Sequence, residues 1–208
     1  MRIHNVTASI VFKVVLVGFV AYGVADAFLH PSFGVPPMRY FTVQSNILLG
    51  LVTLRFLVRE IGGYETGSRL DALLRGCILL SISVTGIVFH LLLAPPVGTV
   101  SFPSHVLHTI VPLAFIADWL VFAPKGGFRL RDIAVWVAYP LAYLAVNLVT
   151  ARFDGFYPYG FMDASKLGYR GVALNTLVLL AAFCLLGAVY VGVDRLLARQ
   201  PRSVRTSA

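Results

Sequence analysis

"LLRGCILLSISVTGIVFHLLLA", residues 73–94, decides the fold class of this 208-residue chain. After Arg75 the stretch contains no Asp, Glu, Lys or Arg, and Pro95 and Pro96 follow it directly. A helix needs about 20 mainly apolar residues to cross the hydrocarbon core of a bilayer, because it rises about 1.5 Å per residue. The stretch therefore predicts a transmembrane helix that stops at the two prolines.

Five further apolar runs of similar length accompany this stretch, separated by polar or proline-rich segments. The chain is 58% hydrophobic and 12% charged, with a mean hydropathy of +0.83, whereas a soluble domain carries about 25% charged residues. We predict an all-α fold, a single polytopic bundle of six transmembrane helices over residues 1–208, with a basic tail at residues 198–208. The predicted spans are about residues 10–29, 41–58, 73–94, 105–122, 133–150 and 172–197.

The basic residues predict the orientation of the bundle. Thirteen of the 17 Lys and Arg residues fall on one side of the spans, and only Arg39, Arg152, Lys166 and Arg170 fall on the other. Cytoplasmic loops carry the excess of Lys and Arg, so both termini are expected in the cytoplasm. The chain has a net charge of +8, but aromatic residues are not interleaved with its basic residues. We therefore expect anionic lipid head groups, and no nucleic acid, as partners of the basic residues.

The first span has an alternative interpretation as a cleaved signal peptide. Arg2 precedes it, and Ala25-Asp26-Ala27 resembles a cleavage site. Lys13 and the length of the run favour a retained transmembrane helix.

Polar side chains from segments far apart in sequence fall at the outer end of this predicted bundle. Ionisable groups inside a membrane are energetically costly and usually face a cavity or the bundle interior, so their convergence predicts a functional site. Tyr157, in the aromatic turn "FYPYGFMD" (residues 156–163), joins Arg39, His90, Asn147 and Asn175 as candidates to line its pocket. The outer-end residues are His30, Arg39, Thr42, Ser45, Asn46, His90, His105, His108, Asn147, Asp154, Asp163 and Asn175.

The second span begins with three of these residues, in "MRYFTVQSNILLG" (residues 38–50). Ser45 and Asn46 follow Thr42 by three and four residues, so all three share one helical face. Thr commonly caps a helix, and Ser and Asn commonly join neighbouring transmembrane helices. An inert helix start is the simpler explanation, and one wall of a site is the alternative.

His105 and His108 share a face at the start of the fourth span, and three interpretations stay open. The first is that they are packing groups, which is the commonest case for such histidines. Together with His90 they are also suited to bind zinc, or a haem between opposite faces. Finally, one of them is suited to act as a general base, because the pKa of histidine lies near physiological pH.

Three stretches in this order and spacing, "RYFTVQSN", "HVLHTIVPLAFIAD" and "YPYGFMD", resemble the androgen-induced membrane hydrolases and their bacterial six-helix relatives. The resemblance implies a multi-pass protein of a bacterial cell membrane that hydrolyses amphiphilic fatty-acyl esters. It implies Thr42 as the nucleophile and His108 as the base, and it matches Asp118 to an acidic position. Asn46 departs from the pattern of the animal members, in which "QSN" is absent.

This hypothesis assigns roles to the remaining polar groups. Ser45 and Asn46 are candidate donors to the oxyanion, and His105 or Asp163 is a candidate to orient His108. Asp118 lies ten residues beyond His108, about 15 Å deeper in the helix, and is expected to join helices instead. No metal or cofactor is expected. The rival hypotheses are a non-catalytic lipid-binding or assembly protein and a metal- or haem-binding protein.

Overall fold

The computed structural model of this chain describes residues 5–31, 34–93 and 100–198. Within these residues all regular structure is helical, and six helices are long and apolar enough to cross a membrane. The predicted six-helix bundle is therefore confirmed. We number the helices α1 (Val6–Leu29), α2 (Phe41–Ile61), α3 (Arg69–Leu93), α4 (Phe102–Phe122), α5 (Asp132–Asp154) and α6 (Ala164–Ala198).

The helices extend beyond the predicted apolar runs where polar residues cap them. Ser68 and Asp71 form a reciprocal capping box, in which the Asp71 amide donates to Ser68 Oγ at 3.1 Å, and α3 therefore begins at Arg69. Helix α6 begins at Ala164, well before the predicted residue 172, with a kink at Gly168 where φ is +64°. Ala94 and the basic tail beyond Ala198 lie outside the described residues.

Helix α3, formed by the stretch quoted first, is the centre of the bundle. It contacts α2, α4, α5 and α6, and its Leu79, Leu80 and Ile82 are fully buried. At Gly76 a Cβ atom would lie 2.0 Å from the Trp136 ring of α5, so no side chain fits between these helices. The continuous apolar character of the stretch follows from this central position, because nearly every face of α3 is covered.

Four charged side chains form a buried network near one end of the bundle. Lys13 of α1 lies 3.1 Å from Glu60 and 2.9 Å from Asp118, and Arg75 lies 3.2 Å from the other oxygen of Asp118. Lys13 and Asp118 are each 1% exposed. Asp118 joins helices, as expected, through two ion pairs. Two cations face two anions, which is the balance that buried charges require.

Candidate active site

Thr42 and His108 lie in direct contact at the other end of the bundle. Thr42 Oγ1, in the first turn of α2, is 3.1 Å from Nε2 of His108 in α4. This distance is within the range of a hydrogen bond between a hydroxyl nucleophile and its base. Thr42 and His108, which the family resemblance pairs across 66 positions, therefore meet in space.

The partner of the other ring nitrogen fixes the tautomer of His108. Nδ1 lies 2.8 Å from the carbonyl oxygen of Ser104, one helical turn earlier, and 3.2 Å from the Ser104 hydroxyl. A carbonyl oxygen only accepts, so Nδ1 carries the proton and donates it. Nε2 consequently presents its lone pair to the Thr42 hydroxyl. The ring is also held by Phe89, which stacks on it at 3.9 Å between centroids.

A wide, π-helical turn over Val106–Ile110 presents His108 to α2. In this turn the Val111 amide bonds to the Val106 carbonyl, five residues back. The next donor in that pattern would be Pro112, which has no N–H, so the Leu107 carbonyl loses its partner. Asn46 supplies the missing donor, with Nδ2 at 3.3 Å from the Leu107 oxygen.

The donors of Ser45 and Asn46 are engaged by other groups of the protein, which gives no support to their predicted role as oxyanion donors. Ser45 Oγ lies 3.1 Å from the Thr42 oxygen and 3.0 Å from the Thr85 hydroxyl. Asn46 Nδ2 lies 2.8 Å from the same Thr42 oxygen as well as contacting Leu107. Both residues are fully buried. They brace the backbone around Thr42 and His108, and no donor of theirs reaches the reacting side.

Neither predicted orienting group contacts the His108 ring. His105 is exposed, and Asp163 instead caps α6, where Oδ1 accepts from the Ser165 amide at 3.0 Å and from its hydroxyl at 2.5 Å. These hydrogen bonds hold the pKa of Asp163 below its usual range. The orienting group is the Ser104 carbonyl, which a search for acidic side chains overlooks. Its only sequence signal is its position four residues before His108.

The histidines do not gather as a metal site requires. His90 Nε2 lies 2.9 Å from the Thr109 hydroxyl, while both nitrogens of His108 contact protein groups. Among residues 5–31, 34–93 and 100–198, no three His, Cys, Asp or Glu side chains are placed to hold a metal ion. The zinc hypothesis built on His90, His105 and His108 is therefore not supported.

Arg39, immediately before α2, clamps the end of α5 to the site. Its Nε donates to Asn147 at 3.0 Å, one Nη donates to Asp154, and the other donates to the Phe156 carbonyl at 2.9 Å. Tyr143 donates to the Arg39 carbonyl at 2.7 Å. Arg39, Asn147 and Asp154 thus lie together, and their polar groups are used to hold the backbone in place.

The aromatic turn after α5 contributes Tyr159 to the site, whereas the candidate chosen from the sequence was Tyr157. The Tyr159 hydroxyl oxygen lies 3.4 Å from the Thr42 amide, and its ring stacks on Phe161 at 5.3 Å between centroids. Asn175 holds this turn, donating to the Phe161 carbonyl at 2.8 Å. Tyr157 is partly buried and does not line the cavity beside Thr42. The other residues predicted to line a pocket also lie outside the lining of this cavity: Arg39, His90, Asn147 and Asn175. The sequence offers little to separate two tyrosines in one turn.

An apolar cavity opens beside Thr42. It comprises about 790 Å³ of space not filled by atoms, its open mouth included, and lies between α2, α3, α5, α6 and the aromatic turn. Apolar side chains such as Val84, Leu144 and Leu180 form most of the wall. Its few polar side chains are those of Thr42, Thr85, Tyr143, Tyr159 and Thr176. An apolar lining with a few polar groups is typical of a site for an apolar ligand with one reactive polar group.

No family model, curated protein or solved structure matches this chain.

Proposed function

We propose that this protein is an integral membrane hydrolase of amphiphilic fatty-acyl esters, with Thr42 as the nucleophile and His108 as the general base. The single observation that carries the proposal is the 3.1 Å contact from Thr42 Oγ1 to the unprotonated Nε2 of His108. A threonine hydroxyl is a weak nucleophile unless a neighbouring base removes its proton as it attacks. The Ser104 carbonyl takes the place that a carboxylate holds in a serine hydrolase triad.

In the first half-reaction, Thr42 Oγ attacks the ester carbonyl carbon while its proton moves to His108 Nε2. The carbonyl electron pair moves to oxygen and forms a tetrahedral oxyanion. When this intermediate collapses, the bond to the alcohol oxygen breaks, and His108 Nε2 returns the proton to the departing alcohol. The product that remains is an acyl ester of Thr42.

In the second half-reaction, water attacks the acyl ester and gives a proton to His108 Nε2. The second intermediate collapses with loss of the Thr42 oxygen, which recovers that proton from the imidazolium. The fatty acid leaves, and the free hydroxyl and the neutral imidazole are restored.

The cavity supports an acyl chain as the part of the substrate that is recognised. Its wall is apolar and reaches Thr42, so a chain lying in it brings its carboxyl carbon to the hydroxyl. The resemblance to the androgen-induced membrane hydrolases adds independent support for both Thr42 and His108. The charge distribution and the bacterial members of that resemblance favour a bacterial cell membrane, with the site at the outer face.

The proposal is tested with purified protein in detergent, a fluorogenic long-chain acyl ester and a fluorophosphonate probe. We expect the wild type to turn over the ester and to form a covalent adduct at Thr42, with loss of fluoride. His108→Ala is expected to lower kcat by about 10²-fold or more, because it removes the general base. Thr42→Val is expected to abolish both adduct and turnover, while Thr42→Ser keeps the hydroxyl and part of the activity.

Matched controls come from the same end of the bundle. Thr109→Val removes a hydroxyl that follows His108 in sequence and faces His90, and His30→Ala removes an exposed imidazole. Both controls are expected to keep wild-type turnover. Turnover that survives in Thr42→Val, or binding of a fatty-acyl ester without any turnover or adduct in the wild type, would overturn the proposal. The second result would favour a lipid-binding protein.

A further inference from the structure

The proposed reaction leaves the oxyanion without the donors that the sequence suggested. Ser45 and Asn46 direct their protons to the Thr42 and Leu107 carbonyls. An acyl-transfer site without a donor for the oxyanion loses about 10²-fold or more in rate. A donor must therefore come from another group beside Thr42 that lines the same cavity.

Tyr159 occupies that position. Its side chain and that of Thr42 both line the cavity, and its hydroxyl oxygen is 3.4 Å from the Thr42 amide nitrogen. Tyr143, the neighbouring phenol, already donates its proton to the Arg39 carbonyl at 2.7 Å. Tyr143 can therefore act only as an acceptor. Tyr159, whose hydroxyl also contacts the Tyr143 hydroxyl and the Thr42 side chain, is the phenol that can turn its proton toward a substrate.

The surroundings also make the Tyr159 proton a good donor. Thr42 is the second residue of α2, so its amide has no acceptor within the helix and points toward the phenol oxygen. An amide that donates to a hydroxyl oxygen polarises the hydroxyl and strengthens the bond it donates onward. Burial raises the pKa of the Tyr159 phenol, so the group keeps its proton at physiological pH.

We propose that Tyr159 is a further catalytic residue, whose hydroxyl donates a hydrogen bond to the carbonyl oxygen of the acyl group as Thr42 attacks. This inference rests on the proposed hydrolase function. No proton is transferred by Tyr159, and the hydrogen bond strengthens as negative charge develops on the oxygen. The positive end of the α2 dipole lies at the same place and acts in the same direction.

The test is Tyr159→Phe, which keeps the ring that stacks on Phe161 and removes only the hydroxyl. We expect kcat for the acyl ester to fall by about 10²-fold with KM changed by less than about 3-fold, because the hydrogen bond is much stronger in the transition state than in the bound ester. The rate of fluorophosphonate labelling should fall in parallel, since the phosphoryl oxygen occupies the oxyanion position. Binding of a non-hydrolysable ether analogue should not change.

Tyr139→Phe is the matched control, because Tyr139 belongs to the same aromatic cluster but lies outside the cavity wall, with its hydroxyl 3.4 Å from Gln44. It is expected to keep wild-type kcat. If Tyr159 only caps α2, Tyr159→Phe lowers thermal stability while kcat stays within about 3-fold of wild type, and the inference is wrong. A wild type without Thr42-dependent turnover would instead refute the proposed function itself.

Discussion

Asn46 shows how one buried amide holds two helices of the site together. Its Nδ2 donates to the Thr42 carbonyl of α2 at 2.8 Å and to the Leu107 carbonyl of α4 at 3.3 Å. The second carbonyl needs this donor because Pro112 cannot supply one. Asn46 therefore sets the spacing of the two backbone segments that carry Thr42 and His108.

At the residue scale we predict that Asn46→Leu lowers the free energy of unfolding by about 1 to 2 kcal/mol, because it leaves two buried carbonyls with fewer donors. It should also lower kcat for the proposed hydrolysis, since His108 is less firmly held. The measurement is unfolding in mixed micelles together with ester turnover. Gln44→Leu, on the same helix, removes a bond to the Met38 carbonyl nearer the surface and serves as the control. Equal stability of Asn46→Leu and wild type would contradict this role.

At the scale of the helix, the π-helical turn of α4 depends on a glycine in α3. A Cβ atom built on Gly86 would lie 2.9 Å from the carbonyl oxygen of His108, which is closer than real Cβ contacts come. The backbone on both sides is rigid, so the contact cannot be relieved by moving a flexible side chain. The small residue lets the wide turn approach α3 and carry the imidazole toward Thr42.

We predict that Gly86→Ala displaces His108 and lowers kcat for the proposed hydrolysis by about 10-fold or more, because a shift of about 1 Å in the proposed base is enough to disturb proton transfer. The fall in kcat should be larger than any loss of thermal stability accounts for, and thermal unfolding in detergent measures that stability. Gly18→Ala is the control, because a Cβ atom there meets nothing within 4 Å. In a helix it is expected to be neutral or slightly stabilising. Comparable kcat values in the two variants would show that the close approach is unimportant.

At the scale of the whole molecule, the two ends of the bundle have different chemistry. The Thr42–His108 pair lies at one end, and the network of Lys13, Glu60 and Asp118 lies toward the other. Thr42 and Glu60 stand near opposite ends of α2, about 27 Å apart by helical rise. Because α1 supplies Lys13 to the buried network, it is part of the packed bundle. The cytoplasmic placement of both termini stays a prediction from the charge count.

We predict that Lys13→Met destabilises the bundle by about 3 kcal/mol, because it removes the ion pairs of Lys13 with Glu60 and Asp118 and leaves an excess of negative charge in the network. Adding Glu60→Gln restores the charge balance and should recover part of the loss, as measured by unfolding in mixed micelles. Lys166→Met is the control, because Lys166 also pairs with a carboxylate, Asp163, but its own side chain is 79% exposed. Its effect should stay within about 0.5 kcal/mol. A double variant less stable than Lys13→Met alone would argue against charge balance as the cause.

The sequence by itself determined the six spans and the depth of each polar residue, because both depend on the length of apolar runs and on helical rise. It therefore placed Thr42 and His108 at one end. Only the tertiary structure decided which groups at that end face each other. The rotation of α2 and the π-helical turn of α4 place Ser45 and Asn46 against backbone carbonyls. Asp163 is used to cap a helix. Ser104 and Tyr159 gained their positions from packing between segments, which no local pattern of residues specifies.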